Sequence, residues 1–188
     1  MTTGRVDTKD WISNPSNAHV LKIDGPEIAN FEDQVKLFKS GEKDEVEFLR
    51  FRLRQGVYGQ RQPDAQMIRV KLPFGGVTAD QMDVLGEVAE KYAPLKKGHF
   101  TTRENVQYHH VPLGDTTDLL RTLGDAGMST REACGNVVRN VVAAPTAGVS
   151  KDEAFDVTPY AAAYARYFLR HPTTQNMPRK SKVSFSGS

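Results

Sequence analysis

The feature that most restricts this chain is a change of hydrophobic period that occurs twice between residues 65 and 127. Residues 65–73, AQMIRVKLP, place Met67, Arg69 and Lys71 on one parity and Ile68, Val70 and Leu72 on the other. A spacing of two separates such sets only in an extended strand, basic residues on one face and apolar residues on the other. Pro73 and Gly75-Gly76 end that strand. Met82, Leu85, Val88, Ala89 and Tyr92 then repeat at helical spacing behind Thr78 or Asp80 as a cap. After Gly98, residues 99–113, HFTTRENVQYHHVPL, read as strand again. Asp115 and Thr116 open a second helix through Leu119, Leu120 and Leu123, ending near Gly127. The order β-α-β-β-α predicts an α+β fold, half of a ferredoxin-like sandwich with helices on one sheet face and the other face free.

The flanks are weaker. Residues 1 to about 30 read as an N-terminal arm, followed by short helices near Glu32–Phe38 and Asp44–Arg54, the second with Val46, Leu49 and Leu53 on one face. Residues 55–64, QGVYGQRQPD, mark a boundary or an anion-contacting loop. Downstream, Ser129 and Glu132 match a capping box, and Thr158-Pro159 is a helix start continued by residues 160–171. Lys180, Lys182 and Ser184 alternate with Ser181, Val183 and Phe185, as in a strand. The expected organisation is an arm over 1–60, the half domain over 61–128, and the beginning of a second α+β domain over 129–188.

Several functions are excluded. No run of 18 apolar residues supplies a transmembrane helix, and the first residues hold no apolar signal core, so a cytoplasmic protein without a membrane partner is expected. With 25 Lys and Arg against 23 Asp and Glu, the charge is too balanced for a duplex nucleic-acid binder. One cysteine, Cys134, cannot make a multi-cysteine metal site alone. Adjacent residues of a strand point to opposite sides, so His109 and His110 are not expected to form a metal clamp. What remains is a set of cations: Arg69 and Lys71 on one strand face, Arg103, Arg139, and Lys180 with Lys182 on another strand face. Like charges about 4 Å apart repel by roughly 4 kcal/mol at an effective dielectric near 20. If these strands converge, the cluster persists only with an anion; if they do not, the residues are solvated surface cations.

Five stretches in register, GVYGQRQ, MIRVKLPFGG, TTRENVQYH, ACGNVVRNVVAAP and MPRKSKVSFSG, are similar to the front half of the sirohaem-containing nitrite and sulfite reductases, over about residues 35–188. The resemblance implies the N-terminal portion of an oxidoreductase that reduces sulfite to sulfide or nitrite to ammonia with six electrons. The cofactors implied are sirohaem and a 4Fe-4S cluster, with ferredoxin or an NADPH-linked flavoprotein as electron donor. It implies that Arg69, Arg139, Lys180 and Lys182 hold the substrate oxyanion and help deliver protons. It also implies that Thr101, Arg103 and Gln107 contact the sirohaem carboxylates, with Asn136, Asn140 and Arg61 as neighbours.

Two departures stand out. Ser181 replaces the aromatic residue that the family carries between its two lysines. The family's four cluster cysteines belong to its second half, so this chain should contain no metal ligand and be inactive by itself. The alternative is a non-catalytic module binding a tetrapyrrole or another polyanion. An RNA-binding sheet is disfavoured, because its strands need stacking aromatics and these offer mainly Arg, Lys and Gln.

Overall fold

The computed structural model describes residues 20, 21 and 23–188. Residues 1–19 and 22 of the expected N-terminal arm lie outside the described residues, and at Gly25 a helix begins. Helix α1 (Gly25–Lys39) starts at Asp24, whose carboxylate accepts the Glu27 N–H at 3.1 Å, and ends with Lys36 and Lys39 in its last turn, the sign its dipole favours. Helix α2 (Glu45–Arg54) starts at Asp44, which accepts from the N–H groups of Val46 and Glu47. The expected buried face of α2 is wrong. Val46 is 53% exposed, whereas Phe48 is buried and stacks on Phe38 of α1 at 4.3 Å, with Phe51 against Phe31 at 5.9 Å. The aromatics have more area to remove from water, and they set the helix rotation.

The expected boundary loop is also corrected: its first part is a strand, β1 (Val57–Gly59), paired antiparallel to β2 (Ala65–Val70). Helix α3 (Ala79–Tyr92) opens with a reciprocal capping box between Thr78 and Gln81. It buries Leu85, Val88, Ala89 and Tyr92 but leaves Met82 exposed. Residues 99–113 are not one strand. β3 (His99–Phe100) and β4 (Val106–Pro112) form a hairpin around a turn in which Glu104 has φ 51°. Helix α4 (Thr116–Asp125) follows. The sheet order is β1-β2-β4-β3, antiparallel throughout. All four helices cover one face, sealing Phe31, Val57, Ile68, Val70, Tyr108 and Leu119 against it. Inside that layer, the Tyr108 hydroxyl donates to the Leu85 carbonyl at 2.8 Å, and burial raises its pKa.

The opposite face is only partly free. Residues 129–141 run across its β2 end, beginning with a 2.7 Å bond from the Lys71 N–H to the Ser129 carbonyl. Gly56 permits this approach: its φ is 77°, and a Cβ there would lie 2.0 Å from the Thr130 carbonyl oxygen. The Ser129–Glu132 capping box is therefore a misreading, since no helix forms there. Ser129 Oγ accepts from the Arg131 N–H, while Glu132 turns into the left-handed region at φ 61° and buries its carboxylate. A second layer completes the chain. β5 (Val142–Ala143) and β6 (Ser184–Phe185) pair in parallel, and α5 (Thr158–Phe168) packs Ala161 and Ala165 against Val141 and Phe185. Thr158 is the first residue of α5 rather than its cap; Asp156 accepts its N–H at 2.9 Å. Among the described residues, no helix is long and apolar enough to cross a membrane.

Candidate functional site

Arg69 occupies the penultimate position of β2, directly opposite Gln107 of β4. With the Gln107 amide oxygen turned toward it, the guanidinium donates from Nε at 3.0 Å and from Nη2 at 2.9 Å. Its Nη1 donates to the Ala133 carbonyl at 3.2 Å, and Nη1 of Arg139 donates to the same oxygen at 3.0 Å. Nε of Arg139 is held by the Gly135 carbonyl at 2.8 Å. Two guanidinium groups thus meet at one oxygen atom. Arg103 joins them from the β3–β4 turn, donating to the Asn140 carbonyl at 3.4 Å. Burial, aided by the charges of Arg69 and Arg103, holds the Arg139 guanidinium below the ordinary arginine range, although it stays charged at neutral pH. Among the described residues, none of the three has a carboxylate in salt-bridge reach. Lys71, Arg131 and Arg170 do, on Glu132 and Glu27.

The turn that aims Arg103 is built by Thr101 and Asn140. Thr101 Oγ1 accepts from the Arg103 N–H at 3.1 Å and donates to Asn105 Oδ1 at 2.5 Å. Asn140 is fully buried, and its Nδ2 reaches the carbonyls of Leu72 at 2.7 Å, Arg103 at 2.9 Å and Glu104 at 3.1 Å. Its Oδ1 is buried without a hydrogen-bond partner. Glu104 is tied down by the Ala143 N–H at 3.1 Å, and burial raises its pKa.

The two lysines arrive through Ser181, which bridges Val138 in parallel, with Arg139 N–H to Ser181 O at 3.0 Å and Ser181 N–H to Val137 O at 3.1 Å. Residues beside a parallel bridge share a face, so exposed Lys180 and Lys182 stand on the Arg139 side. These bonds are made by the backbone of Ser181, so serine in place of an aromatic leaves the strand position intact. Asn136 ties the same two segments together at the surface, donating to Pro178 O at 3.4 Å. Arg61 is not brought in. It is exposed beyond Gly59, which pairs with Gln66, at the end of β2 away from Arg69.

Beside Arg69 the helix-free face of the sheet stays open. A groove of about 410 Å³ is lined by Leu95, Lys97, His99, Phe100, His109 and His110. The expectation that His109 and His110 diverge is overturned. A β-bulge shifts the β2–β4 register between Gln66 and Ile68, His110 adopts φ 61°, and both imidazoles line the groove, 6.3 Å apart. An extra residue in one strand breaks strict alternation. Burial, then the charges of His99, His110 and Arg69, hold His109 below the usual imidazole range. Among the described residues no His, Cys, Asp or Glu group could hold a metal ion.

The Ala133 carbonyl and the Lys71–Glu132 pair escape sequence reasoning. The one available signal is that Lys71 shares its strand parity with Arg69. Cys134 is buried beside this carbonyl, and burial pushes its thiol pKa up against the pull of Arg69 and Arg139.

Comparison with known proteins agrees with this layout. Residues 58–126 match the family model of the nitrite/sulfite reductase ferredoxin-like half domain, and residues 134–188 match that of the nitrite and sulphite reductase 4Fe-4S domain. A sulfite reductase (ferredoxin) of Mycobacterium tuberculosis is 34% identical over 121 residues, 64% of this chain and 22% of that protein. The chloroplastic ferredoxin–nitrite reductase of Oryza sativa is 36% identical over 126 residues, 65% of this chain and 21% of that protein. The chain thus matches only about a fifth of these relatives' length. The solved structure of Mycobacterium tuberculosis NirA superposes with a TM-score of 0.72 at 26% identity, covering 94% of this chain and 36% of that one. With two adjoining family models in the expected order and the same fold, the chain belongs to the nitrite and sulfite reductase family.

Proposed function

We propose that this protein forms the oxyanion- and sirohaem-binding wall of a reductase acting on sulfite or nitrite, with residues 61–128 as the half domain and 129–188 as the start of the cofactor-binding domain. The observation that carries the reading is the meeting of Arg69, Arg103 and Arg139 with, among the described residues, no carboxylate in salt-bridge reach. Such a group of like charges is relieved by an anion. The macrocycle suits the residues present: sirohaem carries many carboxylates, and guanidinium groups bind carboxylates bidentately. Arg103, held in its turn by Thr101 and Asn140, and the imidazoles of the open groove would hold the ring. When bound, the sirohaem iron would supply the electron transfer to the substrate.

The chain's own residues would do the rest. Arg69 and Arg139 grip the small oxyanion and favour charge developing on oxygen as it departs. Gln107 and the Ala133 carbonyl keep Arg69 and Arg139 aimed. Lys180 and Lys182, exposed on the same side, hold protons at Nζ for the leaving oxygen. The cluster does not fit in the same way, because one buried cysteine cannot replace four thiolates. Its ligands would come from polypeptide outside these 188 residues. The names of the relatives favour ferredoxin as the electron donor.

The test is reconstitution with sirohaem followed by absorbance in the Soret region. Arg103→Ala should lose the bound-haem band while Arg61→Ala keeps it. Retention in Arg103→Ala with loss in Arg61→Ala would overturn the assignment.

A further inference from the structure

We infer that the buried Lys71–Glu132 pair positions the substrate-binding arginines, acting through the Ala133 carbonyl; this rests on the reading of Arg69 and Arg139 as an anion site. Lys71 follows Arg69 by two residues, one position past the end of β2, and keeps its strand parity. Both charged groups are fully buried, with Nζ 3.5 Å from Glu132 Oε2 and 3.3 Å from the Val138 carbonyl. Glu132 immediately precedes Ala133, and Val138 immediately precedes Arg139. One ammonium group therefore holds both ends of the 132–139 loop, and the strand just before it carries the other arginine.

The remaining bonds point the same way. The Glu132 N–H donates to Arg54 O at 2.7 Å, and the Ala133 N–H donates to Thr130 O at 3.1 Å. The second carboxylate oxygen of Glu132 accepts from the Arg170 N–H at 2.8 Å and from Gln175 Nε2 at 2.6 Å. The left-handed backbone at Glu132, φ 61°, is unfavourable for a residue with a side chain and persists only where its surroundings enforce it. The result is a carbonyl at Ala133 fixed on both sides, which receives the two guanidinium groups at 3.2 and 3.0 Å.

The pair has a second consequence. Glu132 is one residue from the clamp carbonyl, and a free carboxylate there would neutralise Arg69 and Arg139. Lys71 holds that charge on the far side of the loop, so the arginines keep theirs for a ligand. Lys71 and Glu132 are positioning residues and touch no substrate.

The test uses Lys71→Met/Glu132→Gln, which removes both charges together and keeps the volumes, because leaving either charge alone in the interior threatens folding. The first readout is hydrogen exchange at the guanidinium Nε–H groups of Arg69 and Arg139, followed by NMR in the absence of any anion. Exchange should accelerate about tenfold in the double variant, the size of one lost charge-assisted anchor. Amide spectra should show the rest of the fold intact, and exchange at Arg121, on the far helical layer, should not change. The second readout is sulfite affinity, which should fall in parallel. Unchanged exchange and affinity in a folded double variant would overturn the inference. If the wild-type protein binds no sulfite, the reading of the anion site fails, and the exchange rates alone decide the positioning role.

Discussion

Lys71 and Arg69 are two residues apart on one strand face, and the fold treats them in opposite ways. Lys71 is sealed from water against Glu132, while Arg69 is half-buried beside two more guanidinium groups with no carboxylate in salt-bridge reach among the described residues. Burial strongly penalises a lone charge, so the first arrangement is what a structural cation requires. The second leaves mutual repulsion in place, and that is the arrangement an anion-binding site requires. Under the proposed function, the difference separates charge that holds the molecule together from charge kept for a ligand.

Breaking the sealed side should have the largest effect. Lys71→Met strands the Glu132 carboxylate in the interior and should cost about 3–5 kcal/mol, read as a drop in the urea midpoint. A loss below about 1 kcal/mol would mean that the pair is not a structural element. Next comes Asn140→Ala. It removes the Nδ2 donor shared by the Leu72, Arg103 and Glu104 carbonyls and should cost about 2 kcal/mol. It should also weaken sirohaem retention, because the Arg103 turn loses its anchor. Equal destabilisation with full sirohaem retention would place Arg103 outside the cofactor wall.

The smallest effect concerns His109. Its folded pKa lies below the unfolded value of about 6.5, so the unfolded chain binds the proton more readily. Its contribution is therefore present above pH about 6.5 and is lost as the pH falls through the folded value. His109→Asn should flatten that part of the stability profile. Sulfate bound near Arg69 should raise the imidazole pKa in an NMR titration, and an unchanged pKa at saturating sulfate would separate the groove from the anion site.

Much of the layout was legible in the residues. The alternation in AQMIRVKLP and the helical spacing after Thr78 mark β2 and α3, because each period belongs to one backbone conformation. The convergence of Arg69, Arg103 and Arg139 was legible only through resemblance, since no local spacing reveals that three distant segments meet. Three local readings fail. Ser129 and Glu132 satisfy the capping pattern, but the buried ammonium of Lys71, just past β2, takes the carboxylate. Residues 99–113 read as one strand, but Thr101 closes a turn on Asn105. His109 and His110 obey alternation only where no bulge intervenes. In the first and third cases a partner distant in sequence overrides a local rule; in the second a tight turn interrupts the strand. Phe48 against Phe38 in α2 is the same lesson for an apolar face.

If the cluster of Arg69, Arg103 and Arg139, which has no carboxylate in salt-bridge reach among the described residues, receives an anion, it should bind sulfite directly. The most direct test is calorimetric titration of sulfite, at low ionic strength, into the wild-type protein and into Arg139→Met. Binding to the wild type should be saturable and weakened about tenfold or more by the substitution, with stability changed by less than about 1 kcal/mol because lost carbonyl bonds and relieved repulsion oppose each other. Equal sulfite affinity in the two proteins, with Arg139→Met much less stable, would contradict this and make Arg139 a structural residue.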